Sequence, residues 1–202
     1  MSRLLLVRHG NTEGNSALRF WGQTDIALSD DGVRQAERLA HRLSTEPIVA
    51  VYTSNLSRAV RTAEIIAGRH RLVINTCPEL GEINFGHLEG LTYDEISRQY
   101  PEQAKMLAER ALPTRFPGGE SLAELNERVY TFLSRLPEHS VGETILIVAH
   151  SGVLRLLLCN LLGIDLRHWR QLRIDLASLS ILETYPPTAI LTSLNDVSHL
   201  QL

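Results

Sequence analysis

The sequence predicts an α/β fold, a three-layer sandwich in which a mostly parallel central sheet is flanked by helices. Three observations predict it. Short apolar, β-rich runs alternate along the chain with stretches whose apolar residues recur at helical spacing. Two of the runs, LLLV at 4–7 and TILIVA at 144–149, are apolar at nearly every position, as buried strands are. A chain of 202 residues, 44% hydrophobic and 21% charged, is long enough to bury a sizeable core.

Taken in order, LLLV reads as the first strand. Ser29-Asp-Asp-Gly is a helix cap, and Val33, Ala36, Leu39, Ala40 and Leu43 then repeat at helical spacing. IVAVYTS at 48–54 is a second strand. A helix follows over 58–67, with Ser54 or Asn55 near its cap, and RLVINT at 71–76 carries a short strand. A loop with Gly81, Gly86 and Gly90 leads to helical patterning from Tyr93 to about Ala111. Pro117-Gly-Gly breaks it, and Ser121-x-x-Glu124 is a capping box for a helix to Leu136. The strand at 144–150 precedes a helix at 153–162 that is apolar on nearly every side. Residues 179–183 and 189–194 supply late strands. Segment 81–120 fits the alternation least well; it reads as a partial lid inserted into a single domain spanning 1–202.

Twenty basic and twenty-three acidic residues give a net charge of −3, which argues against a nonspecific nucleic-acid binder. Cys77 and Cys159 form no C-x-x-C, so no zinc knuckle or disulfide framework is expected. The apolar start is interrupted at Arg8, too early for a signal-peptide core. The stretch 153–164 contains Arg155 and Asn160 and is too short to span a bilayer. The expectation is a soluble, cytoplasmic protein with no nucleic-acid or membrane partner; a homodimer stays open.

Two segments share a shape. LLLV runs into Arg8-His9-Gly10, and ILIVA runs into His150-Ser151-Gly152. Ligands of open parallel sheets bind beyond the carboxyl ends of strands, so neighbouring strands would bring His9 and His150 into one pocket. Either histidine alone reads more readily as a satisfied buried imidazole; the matched pair weakens that reading. Arg8 adjoins His9, and Arg58 falls in the first turn of a helix after a strand, where a guanidinium fork and a positive helix end both suit phosphate. Arg61 reads as a solvated helix-face arginine. Asn15 closes Arg8-His-Gly-x-Thr12-x-x-Asn15 and could donate to the same anion or simply serve a turn.

RHGNTEGN, TSNLSRAVRTA, LGEINFGHLEG, FPGGES and VAHSG occur in that order. Together they resemble the histidine phosphatase superfamily, the phosphoglycerate mutase-like group, over essentially the whole chain to the C-terminal LNDVSHL. FGHLEG, GGES and LNDxxHL resemble the branch holding alpha-ribazole phosphatase and broad-specificity phosphatases. The resemblance implies a phosphoglycerate mutase-like fold, a nucleophilic His9, a phosphoryl pocket of Arg8, Arg58 and His150 assisted by Asn15, and Glu82 as proton donor. Trp21-Gly22 falls at the family's substrate loop, and Ser151 joins the substrate-binding set. Asn11 and Leu88 depart from the residues common there, outside the expected phosphoryl pocket.

A phosphate monoester is so inert that enzymes accelerate its hydrolysis by up to ~10²¹. A neutral imidazole nitrogen of His9 can split that displacement into two steps, provided that the other nitrogen is held by a backbone carbonyl near Gly10. Arg8, Arg58 and a protonated His150 can neutralise the equatorial oxygens without metal or cofactor. Glu82, with Glu89 as rival, can protonate the leaving alkoxide. The expected activity is hydrolysis of small phosphorylated metabolites.

Three other readings compete. A mutase would resemble Glu-Arg-His-Tyr-Gly where this chain has Glu82-Ile-Asn-Phe-Gly86, with a longer insert bearing paired arginines where only Arg110 and Arg115 stand. A metal hydrolase lacks an H-x-x-x-H or H-E-x-x-H spacing. A noncatalytic phospholigand-binding module needs neither Glu82 nor a nucleophile. His87 could touch substrate, Trp21 and Trp169 could line a pocket, and His41, His70 and His139 read as surface residues.

Overall fold

The computed structural model describes residues 2–14, 19–108, 115–136, 141–185 and 188–201. Six strands form one sheet: β1 (Ser2–Arg8), β2 (Ile48–Thr53), β3 (Ile74–Thr76), β4 (Thr144–Ala149), β5 (Leu179–Tyr185) and β6 (Thr188–Asp196). Their order is β3-β2-β4-β1-β5-β6. The first four are mutually parallel, while β5 runs antiparallel to β1 and β6 to β5. The predicted mostly parallel sheet therefore holds, with an antiparallel pair on one side. Tyr185 and Thr188 are too close in sequence for the crossover that parallel pairing requires.

Alternation along β1 builds two cores. Leu4 and Leu6 face one side and Leu5 and Val7 the other, all essentially buried. The first side is covered by α5 (Leu122–Leu133) and α6 (Ser151–Leu162), through Leu125, Val129, Phe132, Leu154 and Leu157. The second is covered by α1 (Asp30–Arg42) and α2 (Ser57–His70), through Leu39, Ala63 and Ile66. Each fully buried leucine contributes about 1.5–3 kcal/mol relative to exposure. The three layers thus follow from strands that carry apolar residues on both faces.

Local signals explain most boundaries. Ser29 caps α1, its side chain accepting from the Gly32 N–H, and Ser121 and Glu124 form the expected reciprocal box at α5. That helix ends at Leu133, short of Leu136. The helical pattern from Tyr93 is not one helix but two, α3 (Tyr93–Gln99) and α4 (Pro101–Ala108). Tyr100 lies between them at φ −137° and ψ 63°, because a residue before proline is driven out of the helical region. Residues 109–111 of that expectation lie outside the described residues.

The cap of α2 also differs. Leu56 takes the cap position with no side-chain bond, rather than Ser54 or Asn55. The Ser57 N–H is met instead by the Asp25 carboxylate at 2.8 Å, and the Ser54 hydroxyl accepts from the Leu56 N–H at 3.1 Å. No helix among the described residues is long and apolar enough to cross a membrane.

Candidate active site

Sheet register assembles the site. In β1 and β4, Arg8 pairs with Ala149, so the next residues, His9 and His150, emerge side by side at the carboxyl ends. Their ring centroids are 5.0 Å apart, tilted by 57°. On the other flank of β4, Thr53 pairs with Val148, which brings Ser54 of the next residue against His150. Three neighbouring strands therefore end in Ser54, His150 and His9.

His9 is buried, and its Nδ1 lies 2.8 Å from the Gly10 carbonyl oxygen. A carbonyl only accepts, so Nδ1 carries the proton and Nε2 of the neutral ring keeps a lone pair. Burial, then the charges of Arg8 and Arg58, push the His9 ring well below its ordinary pKa and keep it neutral. Gly10 itself is backed onto the first turn of α1. A side chain there would come within 2.5 Å of the Gly32 carbonyl oxygen, so the turn after β1 requires glycine.

Two guanidiniums face this imidazole. Arg8 donates to the Ile174 carbonyl at 2.8 Å, and its Nε is buried without a partner. Arg58, second residue of α2 and only 2% exposed, donates to the Thr24 and Gly22 carbonyls at 2.9 and 2.6 Å. Neither has a carboxylate within ion-pairing distance among the described residues. Burial pushes Arg8 down to about 10 and also lowers Arg58; both stay cationic at neutral pH. Arg61, by contrast, is exposed and paired with Glu64.

His150 is fully buried and stands behind the cavity wall. Its Nε2 meets the Ser54 hydroxyl at 2.7 Å, and its Nδ1 has no partner. Burial, followed by His9, Arg58 and Arg8, pushes its pKa well below the ordinary value. These neighbours and the loss of solvent favour the neutral ring, so protonation of His150 needs an added negative charge beside it.

Glu82 is buried and sits at the start of α6. Its Oε2 accepts from the Ser151 hydroxyl and the Gly152 N–H, both at 3.2 Å, and its Oε1 from the Ile83 N–H at 3.0 Å. The helix N-terminus suits a carboxylate there. Glu89, the rival, is occupied elsewhere. It accepts from the backbone N–H groups of Gln23, Thr24 and Phe85 at 2.8, 2.7 and 3.1 Å, and lines neither cavity.

A cavity of about 280 Å³ opens over these groups, walled among others by Arg8, His9, Trp21, Arg58, Glu82 and Ser151. A second, of about 190 Å³, shares Phe20, Glu82, Phe85 and Ser151 with the first and continues to Arg155 and Trp169. Trp21 and Trp169 thus each line a cavity. Gly22 lines neither: its carbonyl holds Arg58, and its backbone touches Ile83 so closely that no Cβ fits. His87 is exposed, lies over Gly118 and lines neither cavity. His41 is exposed and His70 half-buried. Asn15, Arg110 and His139 lie outside the described residues. Among the described residues no three His, Cys, Asp or Glu side chains are arranged to hold a metal ion.

Sequence reasoning missed Ser54, Thr62, Arg155 and Glu89 as supports of the site. Thr62 accepts from the Gly10 N–H at 3.3 Å and donates to the Arg58 carbonyl at 2.8 Å, tying α2 to the end of β1. Ser54 and Thr62 both stand in TSNLSRAVRTA, where the signal was overshadowed by Arg58.

The chain is similar to known proteins along nearly its whole length. The family model of the histidine phosphatase superfamily (branch 1) matches residues 4–197. Phosphoserine phosphatase 1 of Hydrogenobacter thermophilus is 34% identical over 200 residues, covering 99% of this chain and 95% of that protein. A Yersinia pestis protein named "Probable phosphoglycerate mutase GpmB" is 35% identical over 207 residues, covering 100% and 96%. The crystal structure of the alpha-ribazole phosphatase from Shigella flexneri superposes with a TM-score of 0.86 at 31% identity, covering 96% of each chain.

Proposed function

The chain belongs to the histidine phosphatase superfamily and is a phosphoric monoester hydrolase, and from that premise we propose that it hydrolyses small-molecule phosphomonoesters through a phosphohistidine on His9, without a metal ion. The observation that carries this reading is the His9 tautomer: Nδ1 is spent on the Gly10 carbonyl, and the free Nε2 belongs to a ring held neutral beside two unpaired guanidiniums.

In the first step Nε2 attacks phosphorus and the ester oxygen leaves with a proton from Glu82. Arg8 and Arg58 neutralise the equatorial oxygens as charge spreads over them. A bound dianion offsets the positive charge of Arg8 and Arg58, so the His150 imidazole can gain a proton and donate as well. In the second step Glu82 takes a proton from water, the hydroxide oxygen bonds phosphorus, and the phosphorus–Nε2 bond breaks to release inorganic phosphate and neutral His9. Ser151 keeps the Glu82 carboxyl in place between steps. Asn15, Trp21 and Gly22 are assigned to the substrate side, Gly22 through its hold on Arg58. Glu82, Ile83, Phe85 and Phe116 form one wall of the cavities, which supports reading 81–120 as a partial lid of a single domain over 1–202.

The test is rapid-quench phosphoenzyme trapping with chelator present. An acid-labile, alkali-resistant phosphoenzyme is expected in the wild type and none in His9→Ala, with turnover abolished. Retention of most activity by His9→Ala would reject the nucleophile. Free phosphate from 3-phosphoglycerate supports hydrolysis; formation of the 2-isomer instead would favour a mutase.

A further inference from the structure

We propose that the second cavity receives the leaving group, and that the substrates are phosphomonoesters of ring-sized apolar alcohols bearing a carboxylate. The proposal rests on the phosphatase reading above and names the substrate class of the same site. Glu82 borders both cavities, with Arg8, His9 and Arg58 on one side of it and Arg155 on the other. An oxygen that leaves phosphorus toward this carboxyl carries its alcohol into the second cavity.

The walls define what fits. Phe20, Phe85, Phe116, Leu122 and Trp169 line the second cavity, with Phe85 edge-on to both Phe20 and Phe116 at 5.3 and 5.0 Å. A volume of about 190 Å³ is the liquid share of about six waters, enough for a single ring. The aromatic walls favour a ring over a small polar chain.

Charge supplies the second half. Arg155 donates through Nε to the Leu172 carbonyl at 2.8 Å, and its guanidinium lies 5.8 Å from the Trp169 ring centroid. It has no carboxylate at ion-pairing distance among the described residues; Glu82 and Asp175 act on it only through space. A half-buried guanidinium without an ion-pair partner is stabilised by an anion, and its planar fork matches a carboxylate.

The test compares kcat/KM for methyl phosphate, benzyl phosphate and 4-carboxybenzyl phosphate, with 4-nitrophenyl phosphate as the activity control. Benzyl is expected to exceed methyl, and 4-carboxybenzyl to exceed benzyl, each by about tenfold or more. In Arg155→Met the ratio between the two benzyl esters falls toward one. If the wild type hydrolyses all three esters within twofold of one another, the leaving-group proposal is wrong while the phosphatase reading stands. A benzyl preference with no gain from the carboxylate overturns the assignment of Arg155. No hydrolysis of any ester, the control included, overturns the phosphatase reading itself.

An independent network leads to a second inference. His9 is held from behind by the Ala177 N–H, which donates to the His9 carbonyl at 3.0 Å. Ala177 has φ of 52°, a left-handed conformation costly for a residue with a Cβ. Its own carbonyl is met by His199 Nε2 at 2.9 Å. Two residues earlier, Asn195 clamps Asp175, accepting from its N–H at 2.6 Å and donating to its carboxylate at 2.9 Å. Just before Asp175, the Ile174 carbonyl holds Arg8. We infer that Asn195 and His199, in the C-terminal LNDVSHL, are positioning residues that hold the strained 174–178 turn against His9 and Arg8.

Asn195→Gly tests this most cleanly, since glycine accepts the φ of 57° at that position while losing the clamp. It and His199→Ala should each lower kcat on 4-nitrophenyl phosphate by about tenfold with KM changed less than about threefold. His199→Gln, which keeps a donor, should recover most of the loss. Unchanged kcat in folded Asn195→Gly and His199→Ala, with only a lower Tm, would reduce the segment to a structural brace.

Discussion

Ser54 and His150 end neighbouring parallel strands, and the serine hydroxyl meets the imidazole Nε2 at 2.7 Å. The same hydroxyl accepts from the Leu56 N–H at 3.1 Å. His150 Nδ1, on the other side of the ring, is buried and has no partner. One hydroxyl thus joins His150 to the entry of α2.

Ser54→Ala removes both contacts. It should lower kcat by about tenfold and stability by about 1–3 kcal/mol, the cost of orphaning buried polar groups. Steady-state kinetics and urea unfolding on the same preparation measure the two. A loss of stability with wild-type kcat would confine Ser54 to a structural role.

Glu82 borders both cavities and is held by the Ser151 hydroxyl and two backbone N–H groups. An acid matters only where the leaving oxygen is basic. Glu82→Gln should therefore slow an alkyl phosphate by about 10² or more, and 4-nitrophenyl phosphate by less than about tenfold. Equal losses on the two substrates would remove Glu82 from the donor role.

Glu89 acts on Arg58 at one remove. It binds the backbone N–H groups of Gln23 and Thr24, and the carbonyls of Gly22 and Thr24 in that loop hold the Arg58 guanidinium. Glu89→Gln turns one of the two acceptor oxygens facing those N–H groups into a donor. The expected result is a KM raised by about tenfold and a folded protein destabilised by about 1–3 kcal/mol. A fall in kcat that depends on the leaving group, with KM unchanged, would instead return Glu89 to the proton-donor role.

How much of this was legible in the sequence depends on range. The strands that deliver His9 and His150 announce themselves, because a strand buried on both faces must be apolar at every position. That they are neighbours is a matter of register, and Arg8 opposite Ala149 is not written in either segment. The cap of α2 was misread for the same reason: Asp25, which meets the Ser57 N–H, comes from a distant loop, while Ser54 serves His150. The protonation of His150 is not legible in the sequence either, because it is set by burial and by neighbours from three other elements. Arg155 gave no local sign at all, since a single charge in an apolar helix acquires meaning only from the cavity beside it.

The two neutral histidines make stability depend on pH with a definite sign. Burial and nearby positive charge hold His9 and His150 below the ordinary value of 6.5, which the unfolded chain retains. Above pH 6.5 both states carry neutral rings and the folded state loses nothing. Below it the unfolded chain takes up protons that the folded pocket refuses, so stability falls with pH, by up to about 1.4 kcal/mol per pH unit for each ring. Tm in phosphate-free buffer should therefore drop between pH 7.5 and 5.5. His150→Gln, with one such ring fewer, should start lower but fall less steeply over the same interval. Parallel slopes for the two proteins would mean that His150 takes up its proton in the folded pocket as readily as in water.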